Sequence, residues 1–138
     1  MSRESMADAA SRYRRTLDWR AGYSTHAVWV RTGHNCEAIA VPREVGEFML
    51  RVLAHPAGVL RWPGPPQRWH FCCRPAGDAR LPPWLQQSRF RHLRHGALLF
   101  LPPSNGSDSP LHWICPPLLP LISFSELCVA VAESLAAS

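Results

Sequence analysis

The chain contains no lysine, and all 15 of its basic residues are arginine. We attribute the use of arginine first to a genomic codon bias toward GC, and only second to a requirement for the chemistry of the arginine side chain. Long apolar stretches are also missing: runs such as 97–101 and 127–132 fall far short of the roughly 18 residues that a membrane span needs. Residues 1–20 are polar and lack the hydrophobic segment of a signal peptide. We therefore expect a cytoplasmic protein with no membrane partner.

Recognisable metal-binding and catalytic motifs are lacking as well. The five cysteines include no Cys-x-x-Cys pair, and an odd number without a secretory signal argues against a disulfide framework, so we expect reduced core thiols. The nearest approach to a ligand set is the i, i+3 pairs His92/His95 and His112/Cys115. No phosphate-binding glycine loop and no Gly-x-Ser-x-Gly motif occurs. These gaps predict no catalytic residue, no metal and no cofactor.

What the chain does contain is enough apolar material for one folded domain. It has 138 residues, of which 46% are hydrophobic and 18% are charged, so a wholly disordered protein is excluded. We predict a single domain over 1–138, divided into an N-terminal helix in 1–22, a core in 25–120 and a C-terminal helix in 123–138. The formal net charge of +5 permits an anionic partner.

Hydrophobic periodicity and turn residues predict an α+β fold. Residues 4–19 have helical composition, and an apolar stripe with helical spacing follows Pro42. A capping-box spacing at Ser123 and Glu126 precedes the C-terminal helix. Short strands are predicted at 25–31, 35–41, 59–62, 67–74, 96–101 and 111–115. The expected architecture is a small mixed sheet covered on one face, with helices at both ends of the chain and one after the second strand.

The positive charge is concentrated in the middle third of the chain. Residues 61–95 carry seven arginines and one acid, Asp78. The same stretch contains the aromatic residues Trp62, Trp69, Phe71, Trp84 and Phe90. This composition is typical of a surface that stacks on bases and holds phosphates. The alternative interpretation is a solvated arginine-rich face beside buried aromatic side chains.

The order of several short motifs resembles a known family. The motifs are Glu37-Ala38-Ile39-Ala40-Val41-Pro42, then Gln67-Arg68-Trp69-His70-Phe71, Leu99-Phe100-Leu101-Pro102-Pro103-Ser104, Leu111-His112-Trp113 and Pro116-Pro117. Over about residues 25–120 they resemble the N-terminal domain of bifunctional DNA primase/polymerases, the Prim-Pol domain of the archaeo-eukaryotic primase superfamily, in its short actinobacterial form. The resemblance implies a primase-like fold with an RRM-like half, a cleft on the open sheet face and helices packed behind.

The resemblance also implies that this copy is catalytically degenerate. Active members carry two acids two residues apart on one strand, which jointly hold divalent metal for phosphoryl transfer. The corresponding positions here are Ala40 and Pro42. A third acid is expected in 90–95, which contains no carboxylate. The nearest acid, Glu37, is a candidate residual acid but is expected on the opposite face of its strand.

A pocket that lacks the metal-binding acids but keeps cations is suited to binding an anion directly. His70, beside Arg68, matches the phosphate-contacting histidine of the family. A half-buried strand histidine bonded to a backbone carbonyl is the alternative interpretation of His70. The predicted ligand-binding residues are Arg68, His70, Arg91, His92, Arg94, Ser104 and Trp113.

Two functional classes remain open at this point. The first is a primase/polymerase-like domain that binds a nucleotide or single-stranded nucleic acid without catalysis. The second is a protein-interaction, regulatory or accessory module in a biosynthetic pathway, including one recruited to a metal-independent activity. The missing carboxylates favour a protein that is not an enzyme, without deciding the question.

Overall fold

The computed structural model describes residues 4–54, 57–105 and 109–137. The described chain forms three helices, eight strands and one 3₁₀ turn. The helices are α1 (Met6–Leu17), α2 (Arg43–Val52) and α3 (Phe124–Ala137), and the 3₁₀ turn is Pro83–Leu85. The strands are β1 (Gly22–Tyr23), β2 (Val28–Arg31), β3 (Glu37–Pro42), β4 (Val59–Trp62), β5 (Arg68–Cys73), β6 (Arg91–Leu93), β7 (Leu98–Leu101) and β8 (His112–Cys115).

The strands form two separate sheets. The larger sheet has the order β6-β3-β5-β4-β8, and the smaller has the order β1-β2-β7. The α+β class is confirmed, with helices at both ends of the chain and α2 directly after β3. We expected one mixed sheet, but every pairing between the described strands is antiparallel. Antiparallel neighbours need only short connections, whereas parallel ones need long crossovers, for which the proline-punctuated second half leaves little room.

Both faces of the larger sheet are covered, so the expectation of a sheet covered on one face is wrong. Alternate strand residues point to opposite faces. Ile39 and Phe71 pack with α2 and α3 on the face that we call the helix face. Ala38 and Cys72 point the other way and pack with α1 and the smaller sheet. The smaller sheet covers this second face because the inward residues of β2 and β7 are buried apolar side chains, Val28, Val30, Leu99 and Leu101.

Local sequence signals place the helix ends close to their predicted positions. The Ser123 hydroxyl accepts from the Glu126 amide (3.2 Å), as in a capping box, and donates to Glu126 Oε1 (3.0 Å), so the carboxylate bonds the hydroxyl rather than the Ser123 amide. Pro42 is the N-cap of α2, one residue before the helix begins. Residues 1–3 and 138, at the outer ends of the predicted terminal segments, lie outside the described residues.

Two strands, β1 and β6, were not predicted. Each has only two or three residues, and β6 contains an arginine and a histidine, so neither shows an apolar run. β6 exists because it extends the ladder of β3, with Arg91 opposite Ala40 and Leu93 opposite Ala38. Short charged segments of this kind become strands through their neighbours rather than through their own propensity.

No helix in the described part of the chain has the length and apolar character to cross a bilayer.

The positions of the cysteines agree with the expectation of core thiols. All five cysteines are free, and Cys36, Cys72 and Cys73 are buried in the core as predicted. Burial raises the pKa of the Cys36 thiol to about 12, which makes it inert rather than nucleophilic.

A buried hydrogen-bonded chain joins α1 to the strands. The Tyr13 hydroxyl donates to the Pro102 carbonyl (2.7 Å) and accepts from Trp113 Nε1 (2.8 Å). Tyr13 is 1% exposed and its ring also stacks near Trp19. One phenolic oxygen therefore connects α1, β8 and the turn after β7.

We predict that Tyr13→Phe lowers the free energy of unfolding by about 1–3 kcal/mol, because it leaves the Trp113 donor and the Pro102 acceptor without their partner. Urea denaturation followed by far-UV circular dichroism measures this change. Tyr23→Phe is the matched control, since Tyr23 is 51% exposed. Equal stability of the two variants would show that the Tyr13 hydroxyl contributes nothing.

Candidate functional site

A pocket of about 430 Å³ lies between the two sheets, on the face of the larger sheet opposite the helix face. We call it the inter-sheet pocket. Its wall on the larger sheet consists of residues from β3, β4, β5 and β6, and the edge strand β7 of the smaller sheet lines the other side. The lining residues are Ala40, Leu60, Trp62, Arg68, His70, Ser88, Arg91, Leu93, Leu98, Leu99 and Phe100.

Strand register explains why the pocket forms. Ala40 at the centre of β3 pairs with His70 on β5 and with Arg91 on β6, so the three residues form one row across the sheet. The methyl side chain of Ala40 is small, and its two neighbours are long. The row therefore leaves a depression over Ala40 between an imidazole and a guanidinium group.

A second row lies one pleat further along the same face. Arg68 is two residues from His70 on β5, and it pairs with Pro42 on β3 and Trp62 on β4. Arg68 Nη1 donates to the Arg89 carbonyl at 2.8 Å, which holds one side of its guanidinium group. The Trp62 ring meets the His70 ring edge to face, with centroids 6.3 Å apart. Strand pairing thus brings Arg68, His70 and Arg91 into one pocket.

The His70 ring is neutral at pH 7. Burial lowers the pKa of His70 to about 4, and the positive charges of Arg91 and then Arg68 add to the effect. His70 Nδ1 is enclosed and has no hydrogen-bond partner among the described residues. A neutral imidazole in the pocket wall offers one hydrogen bond and no charge.

The pocket is positively charged. Among the described residues that line it are two arginines and no carboxylate, and His70 is the one side chain there of a type that commonly binds metal. Ala40 lies in the depression and Pro42 pairs with Arg68, so neither strand position places a carboxylate here. Within the described ranges, no group of three histidine, cysteine or acidic side chains is placed to hold a metal ion. The electrostatics of the pocket favour an anion.

Glu37 and His92 lie on the helix face rather than in the pocket. Their side chains are 4% and 5% exposed, and His92 Nε2 is 2.7 Å from Glu37 Oε1. The His92 ring also stacks on Phe124 of α3, with centroids 4.5 Å apart. Burial lowers the pKa of His92, although the Glu37 carboxylate opposes the shift. Glu37 thus points to the face opposite Ala40, as expected. The predicted role of His92 in the ligand site is not supported, because its position on β6 points it to the helix face and away from the pocket.

The three remaining predicted site residues also lie outside the pocket lining. Arg94 follows β6, and its Nη2 donates to the Gly77 carbonyl at 3.2 Å. The fully buried Ser104 hydroxyl accepts from the Val28 amide (2.7 Å) and donates to the Val28 carbonyl (3.0 Å). Trp113 Nε1 is bonded to the Tyr13 hydroxyl. Each of these side chains contacts the protein itself, and the structure does not bring them together with His70.

Several lining residues were missed from the sequence. Trp62 and Ser88 lie in the basic third of the chain but in no motif, and Leu98 to Phe100 belong to β7 on the other sheet. For Trp62 a usable signal exists, because β4 and β5 are joined by a short proline-rich loop and antiparallel pairing follows. For the β7 residues no such signal exists, since the position of β7 beside the pocket depends on how the two sheets pack.

No protein-family model matches this chain, and no curated protein or solved structure is significantly similar to it.

Ser104→Ala tests whether this serine has a structural role. We predict a loss of about 1–3 kcal/mol in unfolding free energy, because both polar backbone groups of the buried Val28 lose their partner. Ser125→Ala on the exposed side of α3 is the matched control and should change stability by less than about 0.5 kcal/mol. Thermal and urea denaturation give the comparison, and an unchanged midpoint for Ser104→Ala contradicts the prediction.

The lowered pKa of His70 makes stability depend on pH. The unfolded chain takes up a proton on His70 near pH 6.5, whereas the folded ring resists protonation until about pH 4. Stability is therefore fully present above pH 6.5 and falls as the pH drops toward 4. By pH 4.5 we expect His70 to account for a loss of roughly 2 kcal/mol.

Urea denaturation of the wild type and His70→Gln at pH 7 and pH 4.5 measures this contribution. The wild type should lose more stability between the two pH values than His70→Gln does. His26→Gln, at an exposed position, should behave like the wild type. Identical pH dependence in the wild type and His70→Gln is the result that refutes the assignment.

Proposed function

We propose that this protein binds a nucleotide or single-stranded nucleic acid without catalysis, and that the inter-sheet pocket holds a phosphate group of the ligand. One observation carries the proposal: Arg68, His70 and Arg91 converge on a pocket with aromatic and aliphatic walls and, among the described residues that line it, no carboxylate. Two guanidinium groups in one pocket attract an anion, and the described lining has no acid to cancel their charge.

The chemistry of each side chain fits a phosphate ester. Arginine presents a planar fork of N–H donors that matches two phosphate oxygens. Arg91 is an exposed residue whose guanidinium has no hydrogen-bond partner among the described residues, so its donors are free for a ligand. The neutral His70 ring adds one hydrogen bond and no charge. Trp62 and Phe100 provide aromatic surface on which a base can stack.

Pocket size and the missing acids are consistent with binding rather than turnover. A volume of about 430 Å³ lies within the range of roughly 300–1,000 Å³ that is usual for small-ligand sites. The resemblance to Prim-Pol domains suggests nucleotides as the ancestral ligand, and apolar Ala40 and Pro42 at the acid positions supply no metal ligand.

Five free cysteines suit a reducing compartment, which agrees with the proposed cytoplasmic location.

The binding test uses a labelled 12-nucleotide oligo(dT) and ATP as probes, with fluorescence anisotropy and competition in 25 mM salt. The double variant Arg68→Ala/Arg91→Ala should weaken binding of both probes at least tenfold, because it removes both guanidinium groups. Affinity for the oligonucleotide should fall linearly with the logarithm of salt concentration, and the slope should be smaller in the double variant.

The control for this test is Arg43→Ala/Arg51→Ala, which removes the same charge from α2 behind the helix face. This control should bind like the wild type. If the two double variants lose affinity equally, binding reflects net charge and not the pocket. Absence of binding by the wild type in 25 mM salt would overturn the proposal.

A primer-extension assay with Mg²⁺ and with Mn²⁺ tests the absence of polymerase chemistry. We expect no extended product from the wild-type protein, since no carboxylate is among the described residues that line the pocket. Any metal-dependent product that is lost in Ala40→Arg, a variant that fills the depression with a cation, would contradict the assignment as a non-catalytic protein.

A protein partner is the competing proposal, and one observation favours it. Leu118 and Leu119 are 64% and 55% exposed in the proline-rich segment before α3. Exposed leucines next to prolines are suited to docking a protein surface. Light scattering over a hundredfold concentration range measures whether copies of this chain associate. An association that is lost in Leu118→Ser/Leu119→Ser supports the protein-partner proposal.

A further inference from the structure

A second basic pocket lies beside the inter-sheet pocket, at the junction of α1, β1 and β2. We call it the α1 pocket, and its volume is about 610 Å³. Its charged residues are three arginines, one histidine and a single acid, Asp18. The lining residues are Arg14, Asp18, Trp19, Arg20, Ala21, Gly22, Trp29, Arg31, His34 and Asn35. The proposed function assigns no role to this pocket.

The three arginines of the α1 pocket differ in what holds them. Arg14 donates through Nε (3.0 Å) and Nη2 (2.5 Å) to the Ala21 carbonyl, so it is part of the fold. Arg31 makes only a long contact of 3.5 Å from Nη1 to the Gly96 carbonyl. The Arg20 guanidinium has no partner among the described residues. Arg20 and Arg31 are both exposed and are thus available to bind an anion.

The aromatic surface of the α1 pocket requires a glycine at position 22. A Cβ atom at Gly22 would lie 2.8 Å from Nε1 and 2.9 Å from Cε2 of Trp29. Only glycine therefore allows the Trp29 indole to lie directly against β1. Trp29 is half-buried, so part of the ring remains in contact with the pocket.

Strand register connects the α1 pocket to the inter-sheet pocket. Trp29 pairs with Phe100, and Arg31 pairs with Leu98, across the ladder of β2 and β7. One member of each pair lines the α1 pocket and the other lines the inter-sheet pocket. Directly opposed residues in an antiparallel pair have Cβ atoms about 4.5–5.5 Å apart. The two pockets are thus neighbours on one surface.

We infer that a single nucleic acid strand occupies both pockets, running from Arg68 and Arg91 across the β2–β7 ladder to Arg20 and Arg31. This inference rests on the proposed function and narrows its ligand from a nucleotide to a strand of several nucleotides. A mononucleotide fills one pocket and leaves the second set of cations unused. A strand matches what both pockets share, which is aromatic surface beside guanidinium groups.

Oligonucleotide length provides the first test. Anisotropy competition compares a 5′-phosphorylated dT dinucleotide with a 12-nucleotide oligo(dT) on the wild type and on Arg20→Ala/Arg31→Ala. The wild type should bind the longer strand at least tenfold more tightly. The double variant should lose most of that gain, keep its affinity for the dinucleotide, and show a salt slope smaller by about 1.4 for the two lost phosphate contacts.

Stacking provides the second test. Trp29→Ala should weaken binding of the 12-nucleotide strand about tenfold and leave the dinucleotide unaffected. Trp84→Ala is the matched control, because Trp84 is 51% exposed and lines neither pocket. Circular dichroism at 25 °C confirms that each variant is folded before binding is measured.

The outcomes separate the inference from the proposed function. If Arg68→Ala/Arg91→Ala abolishes binding while Arg20→Ala/Arg31→Ala and Trp29→Ala bind the long strand normally, the strand path is wrong and the proposed function stands. If the wild type binds neither probe, both are wrong. If only the α1-pocket variants lose binding, the inter-sheet pocket is not the site and a continuous path is overturned.

Discussion

The antiparallel register of β3 with β5 and β6 is the constraint on which the rest of the structure depends. β3 is buried on both faces, and its alternation assigns each side chain to one of two environments. Glu37 faces the helices and is paired with His92, whereas Ala40 faces the smaller sheet between His70 and Arg91. A slip of one residue would exchange these environments and place an unpaired carboxylate in the basic pocket.

The register therefore keeps the buried acid and the pocket arginines on opposite faces of the larger sheet. The buried acid of the larger sheet lies on the helix face, hydrogen-bonded to a histidine whose ring stacks on α3. The arginines near His70 lie on the opposite face, and their field helps to keep the His70 ring neutral. A site with unopposed cations, a neutral donor and aromatic walls is chemically suited to an anion that carries a ring system.

The sequence predicted most of the individual elements, because their signals are local. The three helices, the capping box at Ser123 and the longer strands follow from periodicity and turn residues. β1 and β6 escaped prediction because they are very short and depend on hydrogen bonds to a neighbouring strand. Of the seven predicted ligand-binding residues, Arg68, His70 and Arg91 share a pocket, since their positions follow from strand alternation around Ala40.

The sequence by itself determined the α+β class, the basic middle third of the chain and the lack of carboxylates at the positions of Ala40 and Pro42. Tertiary structure alone decided that the strands divide into two sheets and that the smaller one turns an open face into a pocket. It also decided that Ser104 and Trp113 serve the fold, and that the α1 pocket adjoins the first one. These features depend on contacts between residues far apart in the chain, which no local pattern encodes.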